Sequence, residues 1–227
     1  MLKNRIQRRQ ALKTLGSAGI GLAFGCGADS GTSPSPAATS STNAACAVTP
    51  TETIGPFPSL VDLFRSDIRE SKTGTVLTLT IKVVNVGSGC APVANANVEI
   101  WHVDAVGNYS QYGTQTNQTY LRGIQTTNAQ GEVTFVTIYP GWYQGRATHI
   151  HAEVTIGGRS VKATQIAFPE AVNNAVHGTG AYASRGNNPL SNLADGIFAD
   201  SLASEIVTPV GSPSGGYTAS FQIGISA

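Results

Sequence analysis

Two histidines one residue apart close a run rich in reactive side chains: Tyr139-Pro140-Gly141-Trp142-Tyr143-Gln144-Gly145-Arg146-Ala147-Thr148-His149-Ile150-His151. The residues from His149 to Val154 alternate apolar and polar as a strand does. Side chains two apart in a strand leave the same side, so the imidazoles of His149 and His151 aim at one place. Pro140-Gly141 marks a turn that carries Tyr143 toward that place, and Arg146 lies between. Two imidazoles, a phenol and a guanidinium so gathered have the composition of a metal site with a polar surround. His102 and His177 read as non-ligands, His102 because it leaves its strand on the face opposite Trp101.

These side chains need a rigid support, and the rest of the chain reads as strands. Alternation over 76–84, 98–103, 132–138, 149–156, 160–168 and 217–225 predicts half-buried strands, with hairpin turns at Thr127-Asn128-Ala129-Gln130-Gly131 and Gly157-Gly158. A turn at 104–107 releases Tyr109 just past a strand end. Residues 110–120 are polar and loop-like. Residues 169–216 are mostly irregular, with one short helical turn near 199–206. The expected fold is all-β: a sandwich of mostly antiparallel strands with long irregular loops, spanning 46–227.

The 227 residues carry 12% charged side chains and a net charge of +1, which leaves no basic patch for nucleic acid and no acidic tail. The N-terminal stretch, 1–26, reads as a targeting segment: Arg8-Arg9 is a twin arginine, followed by a weakly apolar run too short and Gly-rich for a membrane span. Export by the twin-arginine route from a bacterial cytoplasm is expected, to the periplasm, the cell surface or the medium. Leu22-Ala23-Phe24-Gly25-Cys26 resembles a lipoprotein cleavage box, which makes Cys26 a candidate lipid anchor. Residues 27–45 are Ser, Thr, Ala, Pro and Gly, and read as a disordered tether. Cys46 and Cys90 are left in the mature domain. Outside the cytoplasm such a pair suggests a disulfide, with two buried free thiols as the alternative.

Taken in order, Val98-Glu99-Ile100-Trp101, Gly107-Asn108-Tyr109, Leu121-Arg122-Gly123, Gly131, Phe135, Thr137-Ile138, Pro140-Gly141-Trp142-Tyr143 and Arg146-Ala147-Thr148-His149-Ile150-His151 resemble the intradiol ring-cleavage dioxygenases, which include the protocatechuate 3,4- and catechol 1,2-dioxygenases. The resemblance implies one non-haem Fe(III) per chain held by Tyr109, Tyr143, His149 and His151. Phenolate is a hard anionic donor that suits Fe(III), and imidazole is an ordinary iron ligand. The implied reaction inserts both atoms of O2 between the hydroxylated carbons of a catechol to give a cis,cis-muconate. By the same resemblance Tyr143 is the ligand that yields to substrate and acts as base, while Arg146 and Gln165 steady negative charge. Ile54, Gly55, Pro56 and Phe57 would line the substrate pocket together with Arg146.

The chain departs from the usual Arg-Pro-Ala-His-Ile-His pattern, with Ala147-Thr148 in place of Pro-Ala. Its 143–146 segment is short, and it carries an export signal. These features resemble an extracytoplasmic branch of the family. Two other readings stand beside the enzyme: an envelope-tethered β-sandwich binding module, and a zinc- or copper-binding protein that uses His149 and His151 without turnover. An oligomer is compatible with all three.

Overall fold

A computed structural model describes residues 46–226. The twin-arginine segment, Cys26 and the tether lie outside the described residues. Among the described residues the strands are β1 (Val76–Asn85), β2 (Ala91–Pro92), β3 (Asn97–Trp101), β4 (Arg122–Thr126), β5 (Glu132–Ile138), β6 (His149–Ile156), β7 (Arg159–Ala167), β8 (Val210–Ser212) and β9 (Gly216–Ile225). They make two sheets. In one, β1 lies between β5, antiparallel to it, and β9, parallel to it, while β2 and β8 extend the sheet at either side. The other is wholly antiparallel, in the order β4-β3-β6-β7.

Period-two patterning explains why the sheets stack. Leu77, Leu79, Ile81 and Val83 of β1, with Phe135 of β5 and Phe221 and Ile223 of β9, meet Val98 and Ile100 of β3, Ile150, Ala152 and Val154 of β6 and Ile166 of β7 in one buried core. That apolar face is the adhesive of a β-sandwich. The alternate residues of the four-stranded sheet then point away from the core. His149 and His151 are among them, because Ile150 and Ala152 are not.

Register extends that outward face into a row. Arg122 of β4 lies opposite Trp101 of β3, Trp101 opposite His151 of β6, and His151 opposite Gln165 of β7. Residues directly opposite share a face. One line of side chains, Arg122–Trp101–His151–Gln165, therefore crosses the whole sheet.

The loops cover this row. Helix α1 (Glu170–His177) is a feature that 169–216 did not announce; a second, four-residue helix α2 (Leu202–Glu205) falls where a helical turn is expected. Pro169 precedes α1 in an extended conformation and Gly178 follows it. The helix holds the turn before the histidines: Tyr139 Oη donates to Asn173 Oδ1 at 2.7 Å, and His177 Nε2 lies 3.1 Å from the Pro140 carbonyl. Strands β2, β4 and β8 also escape the alternation reading. The first and last are very short, and β4 (Arg-Gly-Ile-Gln-Thr) buries an arginine where the pattern asks for an apolar residue.

The entry segment is a strap tied down along its length. Cys46 is disulfide-bonded to Cys90, 44 residues away. Thr49 N–H donates to the Gly224 carbonyl, and Thr49 Oγ1 accepts from Gly224 N–H, both at 2.9 Å. Lys162 Nζ donates to the Thr49 carbonyl at 2.6 Å and to Thr51 Oγ1 at 2.7 Å, and Glu52 N–H donates to the Ala163 carbonyl at 2.9 Å. Closing a loop of this length stabilises by about 4 kcal/mol in the chain-entropy model. A Cys46→Ser/Cys90→Ser variant should therefore lose about that much unfolding free energy, read from the urea midpoint. An unchanged midpoint would refute the disulfide's structural role.

Candidate metal centre and active site

His149 and His151 bring their Nε2 atoms to 3.1 Å of each other, with the rings nearly perpendicular. His149 Nδ1 lies 2.6 Å from the Ala147 carbonyl, which can only accept, so Nδ1 carries the proton and Nε2 keeps its lone pair for a metal. His151 is oriented by packing instead. Its ring stacks on Trp101 at 4.9 Å with planes 1° apart, and Gly55 covers it from the strap. A Cβ on Gly55 would sit 2.9 Å from His151 Cε1, and the backbone there is left-handed (φ 77°), so glycine is required twice over. Both imidazoles stay neutral. Burial, aided by the Arg146 charge, pushes His149 down to about 3; burial, the neighbouring His149 and the same arginine hold His151 well below its ordinary range.

The two tyrosines arrive on loops packed against each other. The Asp104 carboxylate closes the first loop, accepting from Val106 N–H (3.1 Å) and Asn108 N–H (2.9 Å) and from Lys72 Nζ at 2.9 Å. Tyr109 follows. The second loop is the Pro140-Gly141 turn, which places Tyr143. A Cβ on Gly141 would lie 2.3 Å from the Asp104 carbonyl, and one on Gly107 would lie 2.4 Å from the Trp142 carbonyl. The loops can touch only because both residues are glycine. The Tyr109 and Tyr143 rings stand 5.6 Å apart, Tyr143 is 5.6 Å from His149, and Tyr109 is 6.3 Å from His151.

The donor set fits a trivalent cation. Tyr109 Oη is buried without a hydrogen-bond partner of good geometry, a costly state for a hydroxyl unless something else engages it. Burial, with the Tyr143 phenol beside it, raises Tyr109 well above the usual phenol range; burial raises Tyr143 as well, against the opposing pull of Arg146. A bound metal has to displace those protons, as a strong Lewis acid does. Among the described residues no group of three or more His, Cys, Asp or Glu side chains could hold a metal. Tyr109 and Tyr143 are the further oxygen donors beside the histidine pair.

Polar groups flank the histidines. Arg146 donates from Nη2 to Gln165 Oε1 at 2.6 Å and from Nε to Asp195 Oδ2 at 2.8 Å, and its charge acts on the Tyr143 phenol. Gln165 is fully buried and passes its own Nε2–H to the Thr53 carbonyl at 3.0 Å, which ties the strap to the site. Asp195 is a residue that sequence reasoning missed: it lies in the irregular stretch, with no motif to mark it. Burial pushes its carboxyl up, but hydrogen bonds from Ala147 N–H, Ile197 N–H and Arg146 outweigh that and hold it below its ordinary range.

Beside the tyrosines opens a cleft of about 190 Å³ whose walls include Phe57, Tyr109, Tyr112 and Tyr143. Phe57 lies 4.7 Å from Tyr109 and 6.1 Å edge-on from Tyr143, a flat apolar wall for an aromatic ligand. Ile54 and Pro56 are exposed beside it, so of the four pocket residues expected from the strap Phe57 lines this cleft and Gly55 abuts a histidine. Arg122, quoted in the motif without a role, is buried behind the wall. It donates to Ser110 Oγ, to the Ser110 carbonyl and to the Phe57 carbonyl at 2.9, 2.8 and 3.0 Å, and faces the Tyr109 ring at 5.7 Å. His102 is turned inward, between the Val103 carbonyl and Thr137 Oγ1, and stands apart from the site with His177.

Comparison with known proteins bears on the family and the fold. Residues 58–172, about half of the chain, match a family model described as Dioxygenase. A catechol 1,2-dioxygenase 2 of Acinetobacter lwoffii is 32% identical over 107 residues, covering 39% of this chain and 39% of the relative. The matched region thus spans about two-fifths of that curated relative. An intradiol ring-cleavage dioxygenase from Tetranychus urticae superposes with a TM-score of 0.71 at 29% identity, over 80% of this chain and 95% of that one. The dioxygenase domain of a dioxygenase carbohydrate-binding protein fusion from Streptomyces sp. SirexAA-E gives 0.61 at 26% identity, over 80% and 99%. By its motifs, its sandwich and these matches, the chain belongs to the intradiol ring-cleavage dioxygenase family.

Proposed function

We propose that this protein is a non-haem Fe(III) dioxygenase that cleaves a catechol between its two hydroxylated carbons, incorporating both atoms of O2 to give a cis,cis-muconate. The observation that carries the reading is the convergence of two neutral imidazoles and two buried or half-buried phenols beside an arginine and an aromatic wall. Tyr109, Tyr143, His149 and His151 would hold the ion. A bound ferric ion would supply chelation of both catechol oxygens and activation of the ring toward O2.

The chain's own residues do the rest. Tyr143 is half-buried at the cleft, whereas Tyr109 is buried under Arg122, so Tyr143 is the phenol free to yield to substrate. Held as a phenolate when the ion is bound, its Oη would be the general base that takes a catechol proton. Arg146 then meets the negative charge that grows on the substrate, with its plane fixed by Gln165. Phe57 holds the ring flat, and the strap at Gly55 keeps water from His151.

The twin-arginine segment supports export of the folded, metal-loaded protein to the periplasm, cell surface or medium, with Cys26 as a candidate lipid anchor. The test is cleavage of catechol by the iron-loaded domain under ¹⁸O2. Muconate carrying two labelled atoms is expected. No cleavage, or cleavage outside the hydroxylated pair, would refute the assignment.

A further inference from the structure

We infer that Asp195 is a positioning residue for this reaction, its one carboxylate setting both the plane of Arg146 and the peptide that orients His149. The inference rests on the dioxygenase reading above and adds a residue that the ligand motif does not contain.

The geometry is that of a clamp. Asp195 Oδ2 accepts from Arg146 Nε at 2.8 Å and from Ala147 N–H at 2.6 Å, while Oδ1 accepts from Ile197 N–H at 2.8 Å. The side chain is 0% exposed, so these bonds do not compete with water. A guanidinium is planar, and one hydrogen bond leaves it free to swing. Gln165 Oε1 supplies one fixed point at Nη2, and Asp195 supplies the second at Nε. The guanidinium is thereby held in one plane between Gln165 and Asp195.

The second arm runs through the backbone. Ala147 gives its N–H to Asp195 and its carbonyl to His149 Nδ1. This N–H exists because Ala147 stands where the usual pattern of the family has proline, which has none. The carboxylate is itself anchored in its loop: Asp195 N–H donates to the Ser191 carbonyl at 3.1 Å, and Ala199 N–H donates to the Asp195 carbonyl at 2.9 Å. Phe198, three residues on, packs against the His149 ring at 6.3 Å and under Arg146 at 5.8 Å. Arg146 and His149 thus depend on one short loop.

Asparagine at 195 keeps the size but offers one acceptor oxygen to three N–H donors, and its amide group opposes at least one of them. In the iron-loaded protein Asp195→Asn should lower kcat about 100-fold, the cost of misplacing a positioned group, while iron content stays at the wild-type level. In an Arg146→Lys background the same change should cost about tenfold or less, the part that runs through Ala147 and His149, because the guanidinium it positions is already gone. A merely structural role would lower both backgrounds by the same factor. The metal-free protein supplies a readout independent of turnover. The Arg146 Nε–H resonance, expected to exchange slowly in wild type and assigned by its loss in Arg146→Lys, should vanish in Asp195→Asn. Equal losses in the two backgrounds, or a retained resonance with wild-type kcat, would overturn the inference. A wild-type protein that cleaves no catechol would instead overturn the functional reading on which it rests.

Discussion

Replacing His151 with glutamine is expected to abolish iron retention and ring cleavage together, lowering kcat by about a thousandfold or more, since a ligated metal contributes several kcal/mol to such a reaction. The fold should survive. His151 faces away from the inter-sheet core, and its neighbours on either side, Ile150 and Ala152, are the ones that hold the sheets together. Glutamine keeps a side chain against Trp101 and Gly55 but has no imidazole lone pair to aim beside His149 Nε2. Iron analysis after reconstitution, oxygen uptake with catechol and a thermal melt of the metal-free protein separate these effects. Full iron content with retained activity would show that His151 is not a ligand.

The second large effect concerns chemistry and spares the metal. Arg146→Lys should lower kcat by about a hundredfold, the magnitude associated with losing one preorganised donor to developing charge, while iron content and colour persist. Lysine keeps the charge near buried Asp195 but cannot make the fork that reaches Asp195 and Gln165 at once. Arg146→Met should be worse for a separate reason. It strands a buried carboxylate and costs about 3–5 kcal/mol of stability, which a melt detects and the lysine variant does not show. If both variants kept wild-type kcat, the guanidinium would have no part in the reaction.

Much of this site can be read from spacing because a strand converts sequence parity into direction. His149, His151 and their core-facing neighbours follow from alternation alone, and β6 begins and ends where the alternation does. Gln165 is legible through the family resemblance; the Gly157-Gly158 turn alone would set Thr164 opposite His151, and a register shift between Val154 and Thr155 brings Gln165 there instead. Tyr109 and Tyr143 come less directly, from turns whose glycines permit contact between two loops. The limits are equally physical. Asp195 reaches the site from 44 residues beyond His151, along a stretch without periodicity, and no local pattern encodes a loop that folds back by side-chain hydrogen bonds. Helix α1 is two turns long and amphipathic only through Val172 and Val176, too little to stand out from irregular chain. Arg122 breaks the apolar pattern of β4 because its task is to hold carbonyls behind the pocket wall.

The central claim is that two phenols and two imidazoles of this chain hold a ferric ion that chelates substrate. The most direct test is iron analysis with a visible spectrum of the purified domain, before and after anaerobic addition of catechol. One iron per chain, a red-brown absorption that weakens in Tyr109→Phe, and a move to longer wavelength when catechol binds are the expected result. A protein that stays colourless after iron reconstitution would contradict the account.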